Sequence, residues 1–138
     1  MEMEITFPGG KRVDASAGPL LIRTDQSVQA GGTASAPEPY MLFLASMGTC
    51  AGIYVLGFCQ SRGINTEGLR LTQKMEWNPV SHKLETVRLT VHLPAEFPEK
   101  YREAVIRAAD QCAVKRAIQD PPEFAIEVEE EKEKALSS

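Results

Sequence analysis

Three thiols and two imidazoles are the side chains of this 138-residue chain best suited to nucleophilic or metal chemistry: Cys50, Cys59, Cys112, His82 and His92. Metal ligation has little support. There is no C-x-x-C pair and no paired histidine spacing, so no metal site is expected. His82 falls in a turn-forming stretch and His92 on the polar side of an alternating segment, where solvent exposure is the plain reading. The cysteines remain. Cys50 and Cys59 lie in SMGTCAGIYVLGFCQSRG, residues 46–63, the least polar part of the chain, with no charge between them. In a helix, nine steps separate them by about 900° of rotation and roughly 13.5 Å of rise, so they face opposite sides and cannot bridge. Cys112 belongs to a later segment, which leaves Cys50–Cys112 and Cys59–Cys112 as the open intrachain pairings. The ordinary role of a cysteine on an apolar stripe, a small core hydrophobe, applies to all three at this level.

The elements that must position these thiols follow from hydropathy patterning. Met3, Ile5 and Phe7 alternate with Glu4 and Thr6 and are stopped by Pro8-Gly9-Gly10, which predicts a strand and a tight turn. Two short strands follow, one over residues 19–23, and Ala30-Gly31-Gly32-Thr33 marks a loop. The glycine pairs 9–10 and 31–32 read as turns, because no phosphate-cradling G-x-G-x-x-G or P-loop pattern surrounds them. Ser35-Ala36-Pro37-Glu38 has the spacing of a capping box and predicts a helix from near Pro39. From Tyr40 to Cys59 no residue is charged, so this helix is either a core helix or a membrane span. Ser46, Gly48, Thr49, Gly52 and Gly57 dilute its apolarity and no basic cluster flanks it, which favours the core. A chain this short has little left to enclose such a helix, and a second copy of the chain is the natural cover.

Leu69, Leu71, Met75 and Trp77 face away from Arg70, Thr72, Lys74 and Glu76, and Val87, Leu89, Val91 and Leu93 repeat the alternation after an Asn78-Pro79 turn. An antiparallel pair is expected. Pro98 opens a second helix, with Tyr101, Val105, Ala108 and Cys112 on its inward stripe. Pro121-Pro122 ends it, Phe124, Ile126 and Val128 predict a last strand, and residues 129–138 form a charged, frayed tail. The whole reads as one α+β domain over residues 1–138.

Composition narrows the function classes. The 43% hydrophobic and 25% charged fractions are those of a globular protein. Nineteen acidic and fifteen scattered basic residues give a net charge of -4, so the chain lacks a basic surface for nucleic acid. The amino-terminal MEMEITFPGGKR has none of the features of a secretory signal, and three sparse cysteines do not make a secreted disulfide scaffold, so a reducing cytoplasm is expected.

The segment from Ala36 to Cys50, APEPYMLFLASMGTC, resembles the helix that carries the first cysteine of the OsmC/Ohr family, and Ala108 to Lys115, AADQCAVK, resembles the segment around its second. The order of elements between them and the Gly31-Gly32 pair agree, and the likeness covers nearly the whole chain. The resemblance implies an α+β fold in which two central helices, one very apolar, are enclosed by antiparallel sheets in an intertwined homodimer, with active sites at the subunit interface. It implies a thiol peroxidase for organic hydroperoxides and, less well, hydrogen peroxide. Cys50 is then the peroxidatic thiol, Cys112 the resolving one, and Cys59 a packing residue. The Cys50 sulfenate condenses with Cys112, and an external dithiol such as a lipoyl group, rather than a bound cofactor, restores both.

An apolar pocket protects a sulfenate but starves the site of thiolate, so a cation is needed. Family members use an arginine from the N-terminal strands, which here is Arg12, with Arg23 as second candidate. In the hydroperoxide-resistance branch a glutamate early in the cysteine helix pairs with that arginine. Tyr40 or Met41 stands there in this chain, and Glu38 is assigned to the capping box. The competing class is a non-enzymatic redox sensor or apolar-ligand-binding protein on the same fold.

Overall fold

The structure, a computed structural model, describes residues 1–130. The first three strands, β1 (Glu4–Gly9), β2 (Arg12–Ala17) and β3 (Leu20–Thr24), form an antiparallel sheet in that order. Gly10 and Gly18 supply the left-handed backbone, φ 59° and 55°, that such short hairpin turns require. β1 continues through Pro8, which the sequence reading made a stop. A register shift between Thr6 and Gly9 accommodates the proline on an edge strand that needs no donor there.

Residues 25–38 lead to the long helix α1 (Pro39–Ser61) around one buried carboxylate. Asp25 is 1% exposed and accepts hydrogen bonds from the Gln26 N–H (2.7 Å), Ser35 N–H (3.0 Å), Ser35 Oγ (2.6 Å) and Thr33 Oγ1 (2.9 Å). This hub overturns the predicted capping box. Glu38 itself is the N-cap residue, so Ser35 lies three positions too early, and its hydroxyl is spent on Asp25. The Glu38 carboxylate instead accepts from the Ser27 N–H at 3.3 Å.

By length and composition α1 could cross a membrane, yet it buries a stripe of Met47, Ala51, Val55 and Cys59 against the rest of the chain. The four-residue spacing puts these side chains on one face. Tyr40, Met41, Phe43, Ile53 and Tyr54 remain exposed, so the expectation of a fully enclosed helix is met on one side only within a single chain.

β4 (Arg70–Trp77) and β5 (Leu84–His92) form the expected antiparallel pair. Gln73 ties β4 to α1, its amide donating to the Leu44 carbonyl at 2.8 Å. The core of Val55, Cys59, Phe97 and Val105 sits between the carboxyl-terminal half of α1 and the segment after β5. That segment is not the single helix predicted. A 3-10 turn (Glu99–Tyr101) leads into α2 (Arg102–Ala109), and after a break α3 (Ala113–Gln119) begins. Cys112 is the extended N-cap residue of α3, φ −53° and ψ 125°, rather than a member of the α2 stripe. Asp110, a poor helix former, ends α2 and turns its carboxylate to Lys115 in α3.

Residues 121–130 contain no regular structure, so the strand predicted over Phe124, Ile126 and Val128 is absent from the single chain. A strand is half of a hydrogen-bonded pair, and the two sheets among the described residues leave that segment without a partner. Its apolar side chains are 84%, 96% and 91% exposed. The predicted charged tail lies, from residue 131, outside the described residues.

Candidate active site

The break between α2 and α3 brings two thiols together. Cys50, on α1 and partly exposed, lies close enough to Cys112 for each thiol to shift the acidity of the other, and Cys112, 3% exposed, donates its thiol to the Met47 carbonyl at 3.9 Å. Both are free thiols. Of the two pairings the sequence left open, it is the Cys50 and Cys112 thiols that lie near each other. Cys59 packs with Val55, Phe97 and Val105, and burial pushes its thiol up while the Arg62 charge opposes this only in part.

The paired thiols are shifted in opposite directions. Cys50 lies below its ordinary value of 9.0, held there first by the Val114 N–H, then by the Cys112 thiol as donor, with the Ala113 N–H adding to both against the cost of burial. Cys112 lies above 9.0, pushed up first by burial and then by donating to Cys50. Cys50 is thus the more acidic thiol of the pair and Cys112 the less acidic. The two N–H groups that favour the thiolate belong to the first residues of α3, whose amides lack intrahelical acceptors. Sequence reasoning missed them because it ran one helix through Cys112. The available signal was Asp110-Gln111, an acidic helix-ending residue beside Lys115.

The predicted cation is elsewhere in the chain. Arg12 opens β2 with Nε 3.4 Å from the Gly9 carbonyl, exposed, and Arg23 pairs in register with Asp14 across the sheet. Neither is among the groups acting on Cys50 within one chain. Tyr40 stacks with Phe43 (5.6 Å between centroids) and Trp77 (5.9 Å), Met41 is exposed beside it, and Glu38 serves Ser27. His82 sits in an exposed left-handed turn position, φ 59°, and His92, half-buried rather than fully exposed as expected, is hydrogen-bonded to the Thr72 hydroxyl at 2.9 Å. Among the described residues no cluster of three metal-ligating side chains occurs. Asp25, absent from the sequence argument, was signalled only by the hydroxyls of Thr33 and Ser35 nearby.

Comparison with solved structures places this arrangement on a known fold. A candidate osmotic stress induced and detoxification response protein from Psychrobacter arcticus matches with a TM-score of 0.65 and 21% identity over 83% of this chain and 85% of that one. An organic hydroperoxide resistance protein OsmC from Legionella pneumophila, described as a predicted redox protein and regulator of sulfide bond formation, matches at 0.52 and 21% identity over 86% and 90%. A candidate organic hydroperoxide resistance protein from Vibrio cholerae, with captopril in one of its active sites, matches at 0.55 and 20% identity over 88% and 86%. Comparison with curated proteins gives no match. The family profile described as OsmC-like protein matches residues 32–127, a span that holds α1, the second sheet and both paired cysteines. The chain belongs to the OsmC-like protein family.

Proposed function

We propose that the protein is a thiol peroxidase that detoxifies organic hydroperoxides through Cys50 and Cys112. The observation that carries this reading is the proximity of two free thiols shifted in opposite directions, the more acidic on α1 and the less acidic at the start of α3. The Cys50 thiolate attacks the terminal oxygen of a hydroperoxide, the O–O bond breaks, and the alkoxide takes a proton and leaves as alcohol. The sulfenic acid then loses its hydroxyl as water to the Cys112 thiol, whose sulfur forms the disulfide. An external dithiol carries the two electrons that reopen it. Proximity of the thiols before oxidation favours disulfide closure over further oxidation of the sulfenate. The organic hydroperoxide resistance proteins among the structural relatives support the same substrate class.

The reading includes a homodimer in the cytoplasm. Its support is the exposed apolar face of α1, a first sheet that packs extensively on no other element of its own chain, and an extended apolar segment over residues 124–128. A second copy would cover the first and pair the last. In that assembly Arg12 reaches Cys50 from the other subunit, where a guanidinium can hold the thiolate and orient the peroxide.

The test is peptide mass spectrometry under non-reducing conditions after one equivalent of cumene hydroperoxide. The expected product is a Cys50–Cys112 disulfide that Cys50→Ser abolishes, with repeated turnover once a dithiol is supplied. Unmodified thiols in the wild type would leave the fold as a ligand-binding module, and a single round without turnover would make it a sensor.

A further inference from the structure

The alternation of β4 and β5 turns Leu71, Gln73 and Met75 toward α1 and leaves the opposite face of the pair to Arg70, Thr72, Lys74, Arg88 and Thr90, all exposed, and the half-buried His92. Basic residues scattered along the sequence are gathered there by register. Arg70 stands opposite His92 and Lys74 opposite Arg88, with Thr72 and Thr90 between the two pairs. Like charges directly across a ladder destabilise a sheet, so the Lys74–Arg88 pair carries a cost that an anionic surface laid against it would relieve. On this face only Glu76 answers the charge, reaching Arg88 at 3.5 Å. Among the described residues Arg70 and Lys74 form no ion pair. The hairpin as a whole sets Arg70, Lys74, Lys83 and Arg88 against Glu76 and Glu85, in a chain whose net charge is -4.

The turn that joins the two strands adds an apolar point. Asn78 builds it: its side-chain oxygen accepts from the Val80 N–H (2.8 Å) and the Ser81 N–H (2.9 Å), its side-chain amide donates to Glu85 (2.7 Å), its backbone N–H donates to the Lys83 carbonyl (2.8 Å), and its carbonyl accepts from the His82 N–H (2.9 Å). These bonds hold His82 at φ 59°, a backbone conformation that a non-glycine residue keeps only where its surroundings enforce it. Val80 stands on this braced turn 86% exposed. Within the chain it has no apolar role, whereas between lipid headgroups it would be buried at little ordering cost.

We propose that the β4–β5 hairpin docks the protein on an anionic phospholipid bilayer, with Val80 entering the headgroup layer and Lys83, Lys74, Arg70 and Arg88 facing the lipid phosphates. A bilayer uses both features. A nucleic acid or an acidic protein would use the charge and leave Val80 idle. The homodimer proposed above leaves this face free, because α1 lies on the other side of the sheet. The inference goes beyond the peroxidase reading and stands without it, and a peroxidase docked there would meet acyl-chain hydroperoxides where they form.

The test is co-sedimentation, without peroxide, with vesicles of phosphatidylcholine alone or carrying about 30% phosphatidylglycerol, in about 20 mM and about 500 mM NaCl. Binding to the anionic vesicles is expected to be at least about tenfold stronger than to the neutral ones at low salt, and to vanish at high salt. Lys74→Glu should lower the partition coefficient by about tenfold or more. The same change turns a repulsive cross-strand pair with Arg88 into an attractive one, so its melting temperature should hold or rise and lost binding is not lost folding. Lys74→Arg should bind as the wild type does. Val80→Ser, which changes no charge, should lower vesicle binding by about threefold to fivefold and leave binding of a single-stranded oligonucleotide unaltered. Equal partition onto neutral and anionic vesicles, or wild-type binding by Lys74→Glu, would overturn the proposal. So would a Val80→Ser variant that binds vesicles normally while Lys74→Glu loses vesicles and oligonucleotide alike, which would make the face a general polyanion site.

Discussion

Position 113 separates the cost of a substitution to the fold from its cost to the chemistry. It is the first residue of α3, where proline fits because the amide has no helical acceptor, and Cys112 before it already has the extended backbone that precedes a proline. Ala113→Pro removes one of the N–H groups that favour the Cys50 thiolate. The expected outcome is an unchanged melting temperature, a Cys50 alkylation profile moved to higher pH, and a several-fold slower reaction with hydroperoxide at neutral pH. Cys112→Ser should leave Cys50 more acidic than Cys59, because the backbone donors remain and burial still raises Cys59. Iodoacetamide labelling across pH 6 to 10 reads both. These residues also mark the reach of sequence reading at the site. Cys50 was marked out by the family resemblance of its helix, whereas helix geometry said only that Cys50 and Cys59 face opposite sides and left either open to Cys112. The Ala113 and Val114 amides were not, because backbone donors carry no residue-type signal and appear only once the helix is known to break.

Two elements, the α1 helix and the loop that leads into it, depend on single contacts that can be measured. A Cβ on Gly48 would run into the Gln73 side-chain oxygen, while the Gln73 amide is held by the Leu44 carbonyl at 2.8 Å. Gly48→Ala gains about 1 kcal/mol of helix propensity and loses about 1 kcal/mol of hydrogen bonding as Gln73 is displaced. Alone it should be near neutral. In a Gln73→Ala background the clash is gone, and the same substitution should stabilise by about 1 kcal/mol in urea denaturation. The preceding loop is held by Asp25, whose carboxyl is pushed well below its ordinary 3.8, first by the Ser35 hydroxyl and then by the Ser35 and Gln26 N–H groups. A depressed carboxylate contributes stability that is fully present above pH 3.8 and is lost as pH falls through the lower folded value. The margin of the wild type over Asp25→Asn should therefore be constant from pH 7 to about 5 and shrink below 3.8. The strands were legible in their period-2 alternation, and α1 in its uncharged run. The cap of α1 was not, because Ser35-x-x-Glu38 satisfies the local pattern while the buried Asp25 takes the hydroxyl.

At the scale of the whole molecule, the apolar surface that one chain leaves uncovered is what the proposed homodimer would bury. Ile53, at 59% exposure on α1, and Ile126, at 96% in the unpaired segment, are the sharpest cases. Ile53→Asp and Ile126→Asp should each shift sedimentation from dimer toward monomer, since each places a charge where a second copy would bury an isoleucine. The sequence pointed to a partner through the length of the chain against the demands of α1. The unpaired segment sharpens this, because its alternation is that of a strand while the described residues of its own chain supply no strand beside it. The consequence for the site follows from Arg12, which the single chain holds in the β1–β2 hairpin away from the Cys50 environment. If Arg12 serves Cys50 across the interface, Arg12→Ala and Cys50→Ser are both inactive alone but complementary together. A heterodimer then has one site with the Cys50 of one chain and the Arg12 of the other, and a second site with neither. Random re-pairing of equal amounts makes half the dimers mixed, so about a quarter of wild-type peroxidase activity should return. Mixed dimers that stay inactive would place Arg12 in the same subunit as the Cys50 it serves, whereas full activity and an unchanged Cys50 labelling profile in Arg12→Ala alone would place Arg12 outside the site.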